Sequence, residues 1–229
     1  MSEVALVAGA GSGLSAALAR ALTAEGYRCV LAARRTDKLK PLCDELGAIA
    51  VVCDVSQAGD VAALFAQMDS GTGAPAVAVY NASLRVRGPL VDLDPAKVAE
   101  ALAISAYGGF LVAQAAAKRM LQRGGGTILF TGASASVKGY AESAPFAMGK
   151  FALRGLAQSM ARELAPQNIH VAHVVIDGGI QSQGRQAPPD KPDSLLDPTA
   201  IARNYIHLLK QPRSAWTWEI ELRPWVERF

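Results

Sequence analysis

The chain has 229 residues, 51% hydrophobic and 6% aromatic, and its 23 lysines and arginines against 20 aspartates and glutamates give a net charge of +3. This length fits one domain spanning 1–229 with a large aliphatic core, and the dispersed, weakly basic charge argues against nucleic acid or a membrane surface as partner. Cys29, Cys43 and Cys53 have no metal-ligand spacing and form no even set, so a reducing cytoplasm and no metal are expected, with no leader ahead of the first strand and no apolar run of the roughly 18 residues a membrane span needs.

The first predicted element is an apolar strand from Val4, which runs into Gly9-Ala10-Gly11-Ser12-Gly13-Leu14 and then into an alanine-rich helix reaching Arg20. The three glycines permit a sharp turn and close approach to a ligand, and the first amides of the helix suit an anion. At the head of a βαβ unit the most economical anion is a dinucleotide pyrophosphate. A second strand over 27–33 ends at Arg34 and Arg35. No acid stands there to grip the 2′-hydroxyl of NAD(H), whereas Arg34 offers a fork for the 2′-phosphate of NADP(H), which is therefore favoured. The alternative is a solvated arginine pair at the sheet edge.

The third strand, 48–53, leads into Asp54-Val55. Asp54 either accepts from the adenine amino group or caps the segment starting near Ser56. The fourth strand, Pro75–Tyr80, turns off at Asn81-Ala82-Ser83, where the Asn81 amide can pin the crossing loop and border the cofactor. Short apolar runs alternating with helical patterns predict an α/β, doubly wound parallel sheet covered on both faces.

Together with Lys150 in its helix and Asp177-Gly178-Gly179-Ile180 after a sixth strand over 169–176, these segments resemble the short-chain dehydrogenase/reductase superfamily over nearly the whole chain. The resemblance implies a Rossmann-type sheet of about seven strands and an NAD(P)-dependent oxidoreductase acting on a small molecule. It also implies a homodimer or homotetramer, and an Ile180 backbone that holds the nicotinamide carboxamide beside Gly178. In the glycine turn, Ala8 replaces the usual Thr and Ser15 the last Gly.

The family's proton-transfer set is altered more deeply. Its Tyr-x-x-x-Lys reads Phe146 and Lys150 here, the serine thirteen residues earlier reads Ala133 with Ser134 following, and the helical asparagine reads Ser105. A phenyl ring can neither donate nor accept a proton. Lys150 is expected to hydrogen-bond the nicotinamide ribose rather than to sit on a solvent-facing stripe, since Ala147, Met148, Phe151 and Ala152 flank it. Replacement groups are Tyr140 in a loop, Ser134, and Ser143 seven residues before the lysine, which would at most orient a water or a substrate oxygen. Tyr107 is a phenol out of register with Lys150.

Arg85 and Arg87 lie on the loop after Asn81, either holding an anionic substrate or simply solvated. Asp177, in place of the family's proline, is a late acid or a turn former. A proline-rich lid is expected over about 183–197. The tail, 216–225, reads as a last strand whose three tryptophans form a subunit contact or cover the domain's own edge. Two functions remain: an NADP(H)-dependent reductase with an atypical site, or an NADP(H)-binding sensor or scaffold that has lost turnover.

Overall fold

The computed structural model describes residues 2–182 and 184–227. Seven strands, β1 (Val4–Ala8), β2 (Arg28–Ala33), β3 (Ile49–Val52), β4 (Pro75–Tyr80), β5 (Gly126–Thr131), β6 (Ile169–Ile176) and β7 (Glu219–Leu222), form one sheet in the order β3-β2-β1-β4-β5-β6-β7. Every pairing is parallel. The second and third strands begin one residue later than the sequence pattern suggests, the usual fraying of a strand end.

Strand alternation divides the core. Val4, Leu6 and Ala8 of β1 face a layer containing α3 (Ala58–Gly71), α5 (Gly108–Arg123) and α6 (Ala144–Leu164), whereas Ala5 and Val7 face α1 (Leu14–Ala24), α2 (Lys40–Leu46) and α7 (Pro198–Leu209). Because both faces are covered, the central strands are buried at every position, as β1, β4 and β6 are. The chain winds outward from β1 to β3 and then crosses back to β4. That reversal opens a crevice beyond the carboxyl ends of β1 and β4, where doubly wound sheets take their ligands.

One helical stretch departs from the expected pattern. Residues 95–123 run continuously from α4 (Pro95–Leu102) through a π turn at Ala103–Tyr107 into α5. The Tyr80 hydroxyl, fully buried, donates to the Ile104 carbonyl inside that turn. At 29 residues this stretch is by length and composition apolar enough to cross a bilayer, contrary to the expectation of no such run. Its apolar face is used internally: Val112, Ala113, Ala116 and Met120 are buried against the sheet.

The tail forms only a four-residue strand, β7. Trp216 stacks on His170 with ring centroids 4.8 Å apart, and the Arg154 guanidinium lies 5.5 Å from the Trp218 ring. Two of the three tryptophans therefore cover this chain's own sheet edge, and only Trp225 is exposed. In the expected lid, Gln183 lies outside the described residues. The remainder is clipped to the body by Gln181 N–H donating to Leu196 O at 2.9 Å and by the Trp225 indole donating to Pro192 O at 2.9 Å.

Candidate functional site

The glycine turn follows β1 directly. Gly9 has φ +83°, and a Cβ there would lie 2.4 Å from the Ala82 backbone nitrogen, so only glycine lets this turn pack against the end of β4. Ser15, in the place of a glycine, donates to Gly9 O at 3.0 Å and accepts from the Asn81 amide at 2.7 Å. The expected pinning role of Asn81 is thus realised through Ser15. Gly13 opens α1 with no side-chain cap, so the positive end of the helix faces the glycine turn, an arrangement suited to an anion. Cβ atoms at Gly11 and Gly13 would meet nothing within 4 Å.

A groove of about 240 Å³ runs from this turn across the sheet's carboxyl edge, lined among others by Gly9, Arg34, Asp54, Val55, Asn81 and Ala82. Arg35 is exposed and lies off its wall, so of the two arginines only Arg34 meets the groove. The Asp54 carboxylate accepts from the Ser56 amide at 3.0 Å and hydroxyl at 2.7 Å. Burial pushes its pKa up, but these bonds and Arg34 outweigh burial and hold it below its ordinary value. Asp54 thus closes a turn two residues long while still lining the groove. It is not the cap of α3, whose N-cap is Gln57.

The second cavity, about 390 Å³, brings together Ser134, Tyr140 and Ser143 with Arg85, Arg87 and Arg185. All three expected proton-handling candidates therefore share one pocket, with Tyr140 44% exposed and Ser143 4%. Gly178, Gly179 and Asp177 border the same space. Asp177 is no free acid, because its carboxylate pairs with Lys138 at 3.2 Å and Arg223 at 3.4 Å. Ile180 bridges to Leu196, fixing the start of the lid beside this cavity.

Lys150 is only 3% exposed, which removes the surface-charge alternative. Its ammonium donates to Thr131 O at 2.8 Å, and burial pushes its pKa down to about 8. It sits beneath Phe146, with Nζ 5.8 Å from the ring centroid, rather than on the wall of either cavity. The other side of the site also differs from the resemblance. Ser105 is fully buried in the π turn and accepts from Leu84 N–H at 3.3 Å, where it positions the loop carrying Arg85. Tyr107, out of register as expected, instead stacks on Phe110.

A buried relay with no signature in the sequence links the 133–136 turn to β6 and β7. Ser136 Oγ accepts from Ala133 N–H at 3.1 Å and lies 3.3 Å from His173 Nε2. His173 Nδ1 is 2.9 Å from Glu219, which receives Arg154 in a two-bond fork at 2.6 and 2.7 Å. His173 and Glu219 are direct neighbours across β6 and β7, a pairing fixed only by strand register. Ser136 and His173 are fully buried, so the relay holds the 133–136 turn and cannot attack a ligand. Burial pushes His173 down to about 4 despite Glu219.

Comparison with known proteins follows the same outline. Residues 3–191 match the family model of short chain dehydrogenases. A 3-oxoacyl-[acyl-carrier-protein] reductase from Rattus norvegicus is 30% identical over 184 residues, 80% of this chain and 77% of that protein. The crystal structure of a short-chain dehydrogenase from Rhodopseudomonas palustris superposes with a TM-score of 0.84 at 35% identity, covering 97% of this chain and 99% of the other. An alcohol dehydrogenase from the archaeon Thermococcus sibiricus, solved with 5-hydroxy-NADP, gives 0.86 at 27% identity over 99% and 98% of the two chains. With its seven-stranded parallel sheet and glycine turn, this chain belongs to the short-chain dehydrogenase family of oxidoreductases.

Proposed function

We propose that the protein is an NADP(H)-dependent oxidoreductase that works without the family's phenol. The observation that carries this is Arg34 at the end of β2, lining the groove with no acidic side chain on that strand end. A guanidinium there matches a 2′-phosphate and gives NAD(H) nothing comparable. When bound, the cofactor supplies or accepts the hydride. The first-turn amides of α1 would hold its pyrophosphate, Asp54 and Val55 would border the adenine, and the Ile180 segment would hold the nicotinamide end.

The chain's remaining task is to position the substrate and manage one proton. Phe146 cannot exchange it, so the proton passes at the Tyr140 hydroxyl or at a water oriented by Ser134 and Ser143. Orientation against the nicotinamide still supplies much of the rate when acid catalysis is weak. Exposed Phe110 and Leu121 of α5 and Phe151 of α6 would meet a second copy in a homodimer or homotetramer. The three free cysteines suit a cytoplasmic setting.

A second reading, an NADP(H)-binding sensor or scaffold, is favoured by one feature: Lys150 spends a hydrogen bond on its own chain's Thr131 carbonyl. Fluorescence titration with NADPH and NADH, followed by turnover on a panel of ketones, diketones and imines, separates the two. Tighter NADPH binding with measurable oxidation supports the enzyme. Tight binding with no turnover on any of them supports the sensor, and equal affinity for both cofactors removes the Arg34 argument.

A further inference from the structure

Three guanidiniums converge on the 390 Å³ cavity from two separate segments: Arg85 and Arg87 from the loop after β4, and Arg185 from the segment after β6. Among the described residues none of the three is in an ion pair, although the same wall carries Glu142 and Glu227. The third acid, Asp177, is taken by Lys138 and Arg223. Like charges gathered without partners repel one another. Burial, and then Arg87 and Arg185, push the pKa of Arg85 below its ordinary value.

Both outer arginines are held by specific neighbours. The Arg85 guanidinium carbon lies 4.9 Å from the Phe146 ring centroid, a cation–π contact that orients the fork. Arg185 rests on Gly179, where a Cβ would come within 2.3 Å of the guanidinium carbon, so a glycine is needed for the arginine to lie there. Arg85 thus sits on the residue four positions from Lys150, and Arg185 on the segment that borders the nicotinamide end. The cavity size is that of a small-molecule site.

Resting on the oxidoreductase reading above, we propose that the substrate carries an oxyanion, a carboxylate or a phosphate, and that Arg85, Arg87 and Arg185 hold it. A planar guanidinium fork pairs with either group through two charge-assisted bonds, which orients the ligand as well as attracting it. An anion here offsets the mutual repulsion of the three arginines. The pocket therefore selects for charge, and Ser134, Tyr140 and Ser143 line the same cavity as the three arginines.

The test uses the whole protein saturated with NADP⁺, titrated calorimetrically with levulinate, with its neutral methyl ester, and with inorganic phosphate. Levulinate or phosphate is expected to bind at least ten-fold more tightly than the ester, and whichever is tighter identifies the oxyanion. Arg87→Gln and Arg185→Gln are expected to abolish that preference while leaving NADPH affinity within two-fold. Circular dichroism melts on the same samples confirm that both variants are folded. No charge preference in the wild-type protein, with phosphate also inert, overturns the proposal. So does a loss of NADPH affinity in the variants equal to the loss for the anion, since the arginines would then serve the cofactor's diphosphate. The oxidoreductase reading is tested separately: NADPH binding without anion binding refutes only the proposal, and anion selectivity without turnover on levulinate or the ketone panel refutes only that reading.

Discussion

Arg85 lies over the ring of Phe146, its guanidinium carbon 4.9 Å from the centroid, and the Lys150 ammonium lies 5.8 Å from the same centroid. Two cations therefore flank one phenyl ring. On the proposed reading, the ring occupies the position of the family's proton-carrying phenol. A hydroxyl added at its tip places an acid beside two positive charges, which favour the phenolate. Phe146→Tyr is therefore expected to raise carbonyl reduction on a generic ketone by about a hundred-fold, the lower end of what general acid catalysis supplies. NADPH affinity is expected to stay unchanged. Steady-state kinetics with NADPH consumption followed by absorbance checks this, and an unchanged kcat in a folded variant shows that the site is built for an acceptor needing no acid.

Arg34 lines the groove at the end of β2, and Asp54 feels its charge. Arg34→Gln is expected to weaken NADPH binding by about 10- to 100-fold, the value of a hydrogen bond to a charged group, and to leave NADH binding unaltered. Parallel fluorescence titrations measure both. A matching loss for NADH would mean that the arginine supports the groove rather than recognising the phosphate.

Gly9 and Gly11 separate two uses of glycine. At Gly9 the backbone is left-handed with φ +83° and a Cβ would lie 2.4 Å from Ala82 N, whereas at Gly11 a Cβ meets nothing within 4 Å. Gly9→Ala is expected to lower stability by about 1–3 kcal/mol through backbone strain and overpacking. Gly11→Ala is expected to keep the fold within about 1 kcal/mol yet to lose most NADPH affinity, because the added methyl enters the space a pyrophosphate takes. Urea melts and NADPH titrations on the two variants distinguish the cases.

The His173–Glu219 pair makes stability depend on pH. His173 is fully buried, and burial lowers its pKa from 6.5 in the unfolded chain to about 4 in the folded one. Between these values the unfolded chain binds more protons, so stability is full above pH 6.5 and falls as the pH drops toward 4, by roughly 3 kcal/mol in all. Glu219 acts in the same direction below its own unfolded value: burial would raise it, but Arg154 and His173 hold it low. Urea unfolding at a series of pH values from 7.5 to 4.5 measures the slope. His173→Gln is expected to flatten the upper part of that profile, and an identical profile in the variant would place the acid sensitivity elsewhere.

By itself the sequence determined the architecture and the cofactor groove. The short apolar runs of Val4–Ala8, Pro75–Tyr80 and Ile169–Ile176, the glycines at 9, 11 and 13, and Arg34 after β2 are local signals, each legible within a few residues. The family resemblance also set Phe146 at the position expected to hold a tyrosine. Other features depended on distant segments meeting. Strand register placed His173 beside Glu219, and the winding of the lid brought Arg185 to the pocket of Arg85 and Arg87. Burial made Lys150, expected from the sequence at the nicotinamide ribose, a desolvated amine bonded to Thr131 O, and ion pairing occupied the Asp177 carboxylate. Proximity and desolvation belong to the folded chain, which is why these roles had no signature in any short stretch of sequence.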